Sequence, residues 1–566
     1  MAKRSRRDFI KHIGAAAGAL TAIPGCAHST AHTAVSTRRP NVVLVLTDDQ
    51  GYGDMACHGN PYLKTPNIDR LYGESARFTQ FHVSPVCTPT RACLMTGRYN
   101  YRTGAIDTYR GRAMMHPDEV TIAEMLKGGG YATGIFGKWH LGDNYPLRAM
   151  DQGFDESLVH RGGGLLQPSS PPGDSYFAPI VWRNGKQEQL QAYCTDAFTN
   201  AAMDFIERHK TTPFFVYLAT NAPHAPLFVD DRYVAPYLTM GLDERTAKAY
   251  GMVTNFDENL GRLLTKLDQL GIADDTIVIY MTDNGPDSMR YNAGMRGKKG
   301  DAYEGGIRVP FFVRWPGKIQ AGRDIDRIAA HIDLTPALLD LCGVPGPQAV
   351  HLDGKSIAPL LRGAAHNWPD RALFSQWHRG DAPEPHRNAA VRTQQYKLVN
   401  GKELYDLSTD PAENLDIAAN QPEIVNRLRA AYDDWFKDVS STRGYEPPKI
   451  LLGAPQENPS VLTRQDWRGA EGWSDSKLDQ GVGYWEVQFA TAGLYDFLVD
   501  IPPQDEPATV WVDFNGARFS QPVEAKAESC RITGQRMDTD TGRVQAWVEH
   551  GNFRQGARFL TVERKS

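Results

Sequence analysis

Asn41-Val42-Val43-Leu44-Val45-Leu46-Thr47-Asp48-Asp49-Gln50-Gly51 decides the fold. Its apolar run does not alternate, which predicts a strand buried on both faces, as in a parallel sheet covered by helices. The run ends in two adjacent carboxylates. Open α/β sheets bind ligands at the carboxyl ends of their strands, and hard oxygen donors of this kind suit Ca2+ or Mg2+. Taken alone, the pair equally fits a solvated turn. A second strand, Thr276-Ile277-Val278-Ile279-Tyr280-Met281, ends the same way at Thr282-Asp283-Asn284-Gly285. Neighbouring strands of a doubly wound sheet can bring Asp48, Asp49, Asp283 and Asn284 around one cation.

Two further strands end in nitrogen bases. Tyr131-Ala132-Thr133-Gly134-Ile135-Phe136 leads to Gly137-Lys138-Trp139-His140, and Phe214-Phe215-Val216-Tyr217-Leu218 leads to Asn221-Ala222-Pro223-His224. One histidine after a strand is ordinarily a satisfied structural group, but Lys138, His140 and His224 fall at the same sheet edge as the acids. Helices are predicted between the strands, over 117–127 (acids early, Lys127 late, then Gly128-Gly129-Gly130), 255–270 and 333–341. Strand alternating with helix is the doubly wound α/β pattern.

Working outward, Ser84-Pro85-Val86-Cys87-Thr88-Pro89-Thr90-Arg91-Ala92-Cys93-Leu94-Met95-Thr96-Gly97-Arg98 reads as a loop delivering Cys87 to a helix start. Pro89 is compatible with a first turn, and Gly97 can close the helix. A nucleophile there meets unpaired N–H groups and the positive end of the helix dipole, and Arg91 lies about one turn on. An isolated cysteine in this position also fits a buried structural role.

Cys87-x-Pro89-x-Arg91 followed by Thr96-Gly97-Arg98 resembles the signature of the type I sulfatases. The resemblance implies an alkaline-phosphatase-like fold and oxidation of Cys87 to formylglycine, whose hydrated aldehyde is the nucleophile. It also implies a divalent cation, usually Ca2+ (with Mg2+ as the other choice), on Asp48, Asp49, Asp283 and Asn284, with residue 87 completing the shell. Gly137-Lys138-Trp139-His140 and Pro223-His224 match family segments. The sulfate-binding lysine five residues before Glu304-Gly305-Gly306 lands on Lys299, although Lys298 stands where a small residue is common. By the same resemblance Arg91 steadies residue 87, and Lys138 and Lys299 bind sulfate. His224 protonates the leaving alcohol and His140 is the base. Asp283 activates the attacking hydroxyl besides binding metal.

At 566 residues the chain exceeds one ordinary core. We expect the catalytic domain over 40–350. A smaller α+β subdomain over 351–446 resembles the family's C-terminal part through Leu404-Tyr405-Asp406-Leu407. Short alternating strands over 449–566 predict an additional all-β, sandwich-like module. Trp467, Trp473, Trp485, Trp511 and Trp547 invite a glycan-binding reading, but tryptophans at strand positions usually fill cores. The Gly-, Ser- and Pro-rich stretch 161–178 reads as a rim loop, where Arg110, Arg112, His116, His160 and Arg161 could face a sulfated substrate; each taken singly reads more simply as solvated surface.

Residues 1–26 combine a basic start with an apolar run too short to span a bilayer, an export signal. Ser5-Arg6-Arg7-Asp8-Phe9 resembles a twin-arginine signal, and Ile23-Pro24-Gly25-Cys26 a lipoprotein cleavage box that would put a lipid anchor on Cys26. A flexible tether follows over 27–39. The expected location is therefore the periplasm or cell surface. Twin-arginine cargo crosses folded, so a formylglycine-generating maturation enzyme would act beforehand in the cytoplasm. Cys57, Cys93, Cys194, Cys342 and Cys530 form no disulfide framework. A net charge of −5 gives no field favouring a polyanion, so no nucleic acid partner is expected, and an anionic substrate must be held by local cations. The expected activity is sulfate-ester hydrolysis on a sulfated small molecule or glycan. The alternatives are a phosphonate or phosphodiester hydrolase on the same scaffold and a non-catalytic glycan-binding lipoprotein.

Overall fold

The computed structural model describes residues 39–364, 368–469 and 481–565. The export signal, Cys26, nearly all of the tether and Trp473 lie outside the described residues. A ten-stranded sheet organises the catalytic domain, built from β1 (Asn41–Thr47), β2 (Ala76–Phe78), β3 (Ala132–Lys138), β4 (Glu156–His160), β5 (Ile180–Arg183), β6 (Lys186–Gln189), β7 (Phe214–Ala219), β8 (Thr276–Thr282), β9 (Phe311–Arg314) and β10 (Arg323–Ile325). Their spatial order is β10-β2-β9-β8-β1-β7-β3-β4-β5-β6. The central four, β8, β1, β7 and β3, run parallel.

The unbroken apolar character of β1 is used on both faces. Val42, Leu44 and Leu46 enter one core with α1 (Cys87–Thr96), α2 (Ile122–Gly128) and α5 (Leu334–Cys342). Val43 and Val45 enter the other with α3 (Cys194–His209) and α4 (Glu244–Gln269). Burial of each such side chain stabilises the fold by about 1.5–3 kcal/mol, so a strand apolar on both faces is pinned between helical layers.

Two helices differ from the sequence expectation. The 117–127 helix starts at Ile122, because Thr121 accepts from the Glu124 N–H while the Glu124 side chain returns to Thr121. That capping box overrides the acids further upstream. The 255–270 helix is the second half of the 26-residue α4, which Asp243 caps.

The C-terminal subdomain has four antiparallel strands, Leu373–Gln376, Ala389–Arg392, Tyr396–Val399 and Glu403–Asp406, under α6 (Pro422–Ser440). Trp435 stacks on Phe374 with centroids 4.9 Å apart, and both pack with Tyr99 of the catalytic domain. The last part is the expected β module. One sheet contains Trp485–Phe489, Ala508–Phe514 and Thr541–His550, and the other Ser460–Thr463, Gly493–Asp500, Ser529–Met537 and Phe559–Lys565. Trp467 and Trp485 are buried and stacked in its core, with Met114 and Leu147 of the catalytic domain in the same apolar cluster. No helix among the described residues is long and apolar enough to cross a membrane.

Candidate active site

Register assembles the site. Thr47 lies opposite Thr282, so Asp48 and Asp283 leave adjacent parallel strands together. The Asp49 N–H donates to Asp283 Oδ1 at 3.2 Å. Lys138 closes β3, two strands from β1 across β7. Asp49 (φ 62°) and His140 (φ 59°) are both left-handed, a conformation costly outside glycine that collects at functional sites. Gly285 sits beside the Glu304-Gly305-Gly306 turn so closely that a Cβ there would lie 1.9 Å from the Gly305 carbonyl oxygen. That contact, with the Lys299 N–H on the Pro286 carbonyl and the Gly300 N–H on the Pro85 carbonyl, sets Lys299 between the two loops.

Cys87 is the first residue of α1 and is buried. Around it, three cations meet three carboxylates one to one. Lys138 Nζ lies 2.7 Å from Asp48 Oδ2, Lys299 Nζ 2.7 Å from Asp49 Oδ1, and Arg91 Nη2 2.7 Å from Asp283 Oδ2. Arg91 also donates to the Lys138 carbonyl at 3.0 Å, tying α1 to the end of β3. Lys299, rather than Lys298, reaches the acids.

Burial pushes Asp49 up, but Lys299, His224 and Lys138 together hold it well below the usual carboxylate range. Asp283 goes the other way: burial and the Asp48 charge raise it to about 6 against the pull of Arg91. Burial pushes the Cys87 thiol up, opposed by Lys138 and Lys299.

Hydrogen bonding fixes the histidine tautomers. His140 Nε2 lies 2.7 Å from the Thr108 carbonyl, which can only accept, and 3.3 Å from the Gln465 amide nitrogen; a proton on Nε2 satisfies the shorter contact. Nδ1 then points its lone pair at Cys87 Sγ, 3.5 Å away. His224 Nδ1 donates to the Ala225 carbonyl at 2.6 Å, which leaves Nε2 as the open nitrogen, 3.7 Å from Asp49 Oδ2. Burial lowers His224 to about 3 and holds His140 well below the ordinary histidine range, so both rings are neutral at pH 7.

The acidic residues fit a divalent cation. Ligand atoms of Asp48, Cys87 and Asp283 lie within 4.8 Å of one another, as do those of Asp48, Asp49 and His224. Asp48 Oδ1 and Asn284 Oδ1 are buried without a hydrogen-bond partner, two oxygens of the hard type that Ca2+ or Mg2+ takes. The ten residues singled out from sequence thus converge.

The expected rim does not behave as one surface. Arg112 is buried and donates to the Tyr445 and Asp381 carbonyls. His160 is buried on the Arg161 carbonyl, and Arg161 lies over the Trp182 ring. His116, partly buried, meets the Glu446 carbonyl. Of these five, Arg110 (φ 62°) alone makes no such contact among the described residues. Thr108, Gln465 and Arg379, which do stand beside His140 or its supports, carry no sequence signal.

Residues 40–344 match the family model for sulfatases, and 298–435 the model for the C-terminal part of N-sulphoglucosamine sulphohydrolase. Human arylsulfatase A is 33% identical over 460 residues, covering 69% of this chain and 87% of that protein. The N-acetylgalactosamine-6-sulfatase of Canis lupus familiaris is 33% identical over 375 residues, 60% of this chain and 69% of that protein. Among solved structures, Ps i-CgsB in complex with k-i-k-neocarrahexaose superposes with a TM-score of 0.66 at 29% identity, covering 72% of this chain and 95% of that one. The phosphonate monoester hydrolase of Agrobacterium radiobacter, at 22% identity and a TM-score of 0.52 over 71% of this chain and 96% of that one, shares the fold alone. With the sulfatase model spanning more than half of its residues, the chain belongs to the sulfatase family and is a sulfuric ester hydrolase.

Proposed function

We propose that this enzyme removes sulfate from a sulfated carbohydrate, using a formylglycine made from Cys87 and a divalent cation, Ca2+ or Mg2+. The observation that carries the reading is the convergence of Cys87, three carboxylates and three cations at one sheet edge. Asp48, Asp49, Asp283, Asn284 and residue 87 would hold the cation, which supplies polarisation of the sulfate oxygens. Oxidation gives residue 87 a hydrated aldehyde whose hydroxyl attacks sulfur. As the S–O bond to the leaving alcohol breaks, sulfate passes to one hydroxyl of residue 87; His140 Nδ1, already aimed at that position, then takes the proton of the other hydroxyl, so that the aldehyde re-forms and sulfate is expelled. Asp283, whose carboxylate lies beside Cys87, is the neighbouring group that can take the proton of the attacking hydroxyl. Arg91 keeps Asp283 and the β3 terminus in register.

Lys138 and Lys299 bind the sulfate oxygens. Each now neutralises a carboxylate that the cation would take, which would free both ammonium groups for the sulfate oxygens. His224 Nε2 protonates the leaving alcohol. Burial disfavours the protonated His224 ring, while Asp49, and in the same direction the negative charge of bound sulfate, favour it. The carbohydrate substrate class is supported by relatives and neighbours whose names specify acetylgalactosamine sulfate and neocarrahexaose. Export by the twin-arginine signal, a lipid anchor at Cys26 and prior action of a maturation enzyme complete the reading.

The test is mass spectrometry of the tryptic peptide spanning Phe78 and Arg91, from protein made in its own host, with parallel assays on sulfate and phosphonate monoesters. An aldehyde at residue 87 and preference for sulfate are expected. An alkylatable thiol in an active enzyme would end the formylglycine reading, and preference for phosphonate the substrate reading. Cys87→Ala should abolish turnover while the chain still folds, with a small fall in unfolding temperature because one buried sulfur is removed.

A further inference from the structure

The β module reaches the catalytic histidine. Its strand Ser460–Thr463 runs into a turn, Arg464–Asp466, and Gln465 in that turn is 4% exposed. Gln465 Nε2 donates to the Thr108 carbonyl at 2.5 Å and lies 3.3 Å from His140 Nε2. The same carbonyl accepts the His140 Nε2 proton. A second bond, from the Gly111 N–H to the Gln465 carbonyl at 3.3 Å, ties the turn to the loop carrying Thr108.

The turn is itself fixed within the module. Arg464 Nε donates to the Ala557 carbonyl at 3.0 Å, and Trp485 Nε1 to the Thr463 carbonyl at 2.7 Å. Thr108 lies outside regular secondary structure, so its carbonyl direction is set by such contacts, including Arg379 Nη1 on Thr108 Oγ1 at 2.9 Å. The family models end at residue 435, thirty residues before Gln465.

We propose that Gln465 is a positioning residue for the sulfatase reaction: its amide holds the Thr108 carbonyl that fixes the His140 ring against residue 87. The β module is then part of the catalytic unit and not only an appended domain. This rests on His140 acting as the base that faces residue 87.

Gln465→Met tests it, because methionine keeps the length and volume but cannot donate. Loss of one hydrogen bond at a catalytic support predicts a fall of about tenfold in kcat with KM within about twofold. Formylglycine content and unfolding temperature should stay at wild-type values. Gln465→Ala should show the same fall in kcat plus a lower unfolding temperature. If Gln465→Met turns over at the wild-type rate while Gln465→Ala loses only stability, Gln465 is packing and the proposal fails. A readout independent of turnover is the 15N spectrum of the His140 ring, assigned by His140→Gln. The wild type should show one tautomer protonated at Nε2, and Gln465→Met a mixture. A wild-type ring protonated at Nδ1, or a spectrum unchanged in Gln465→Met, overturns the proposal even if the enzyme proves inactive on every sulfate ester, an outcome that would instead remove the proposed function.

Discussion

Lys138→Met is the most informative perturbation of the charge arrangement. Lys138 and Asp48 are fully buried and 2.7 Å apart, and methionine fills most of the same volume without the charge. Removing one partner strands the other in a low-dielectric site, at a cost of about 3–5 kcal/mol. For a domain of this size roughly 2 °C of unfolding temperature goes with each kcal/mol, so a drop of roughly 6–10 °C is expected in the presence of a chelator. The cation dependence carries the argument. If a divalent cation takes Asp48, it competes with the Lys138 ammonium, and it restores the missing positive charge in the variant. Millimolar Ca2+ should therefore raise the unfolding temperature more in Lys138→Met than in the wild type, closing most of the gap. Turnover stays low even with Ca2+, down about 10²–10³-fold in kcat/KM, because a cation aimed at the sulfate oxygens is gone. Scanning calorimetry with EDTA and with Ca2+, beside a sulfate-release assay, reads all of this. An equal deficit in EDTA and Ca2+ would show that Asp48 and the cation do not share a site.

His224→Ala should slow alkyl sulfates by about 10²–10⁴-fold and activated aryl sulfates far less, because a good leaving group needs no proton; equal losses on both would remove the general-acid role. Asp143→Asn probes the junction with the β module. Burial raises Asp143 to about 6 and the facing Asp466 well above the usual range. A carboxyl raised in the folded state adds stability that is fully present below about pH 4 and lost as pH rises to about 6, so the wild type should lose unfolding temperature between about pH 4 and pH 6. The full shift would be worth at most about 3 kcal/mol, and the partial exposure of Asp143 brings the expected loss to about 1–2 kcal/mol. Asp143→Asn should flatten this profile and be the more stable protein at pH 7.5; a variant weakened equally at both pH values would mean that Asp143 is already ionised when folded.

The residues nearest the chemistry were legible because a local rule put them there. β1 and β8 are parallel strands covered on both faces, so their apolar runs do not alternate, and their carboxyl ends point to one edge. That places Asp48, Asp49, Asp283 and Asn284 together before any coordinates. The choice of Lys299 over Lys298 needed the loop itself, which the Pro85 and Pro286 carbonyls orient. The start of α2 was readable in Thr121-x-x-Glu124, but Pro117, Asp118 and Glu119 gave a competing signal and lost to a reciprocal pair of hydrogen bonds. Arg112 looked like a rim cation and is a buried tie to the C-terminal subdomain, because nothing in a sequence says which carbonyls will surround a guanidinium.

Histidine chemistry shows where local reading stops. The residue type and the strand ahead of it announce His140, but which nitrogen faces residue 87 depends on what the other one touches. Here that partner is a carbonyl in an irregular loop 32 residues earlier, held by an amide 325 residues later. Neither contact follows from periodicity or spacing: the first arises when the loop carrying Thr108 folds against the end of β3, and the second only when the catalytic domain and the β module pack together. The proton position on His140 is thus a property of tertiary assembly, and in this chain the assembly includes a module that the family resemblance does not cover. A site can be listed from motifs while the state that lets it react is set by residues no motif contains.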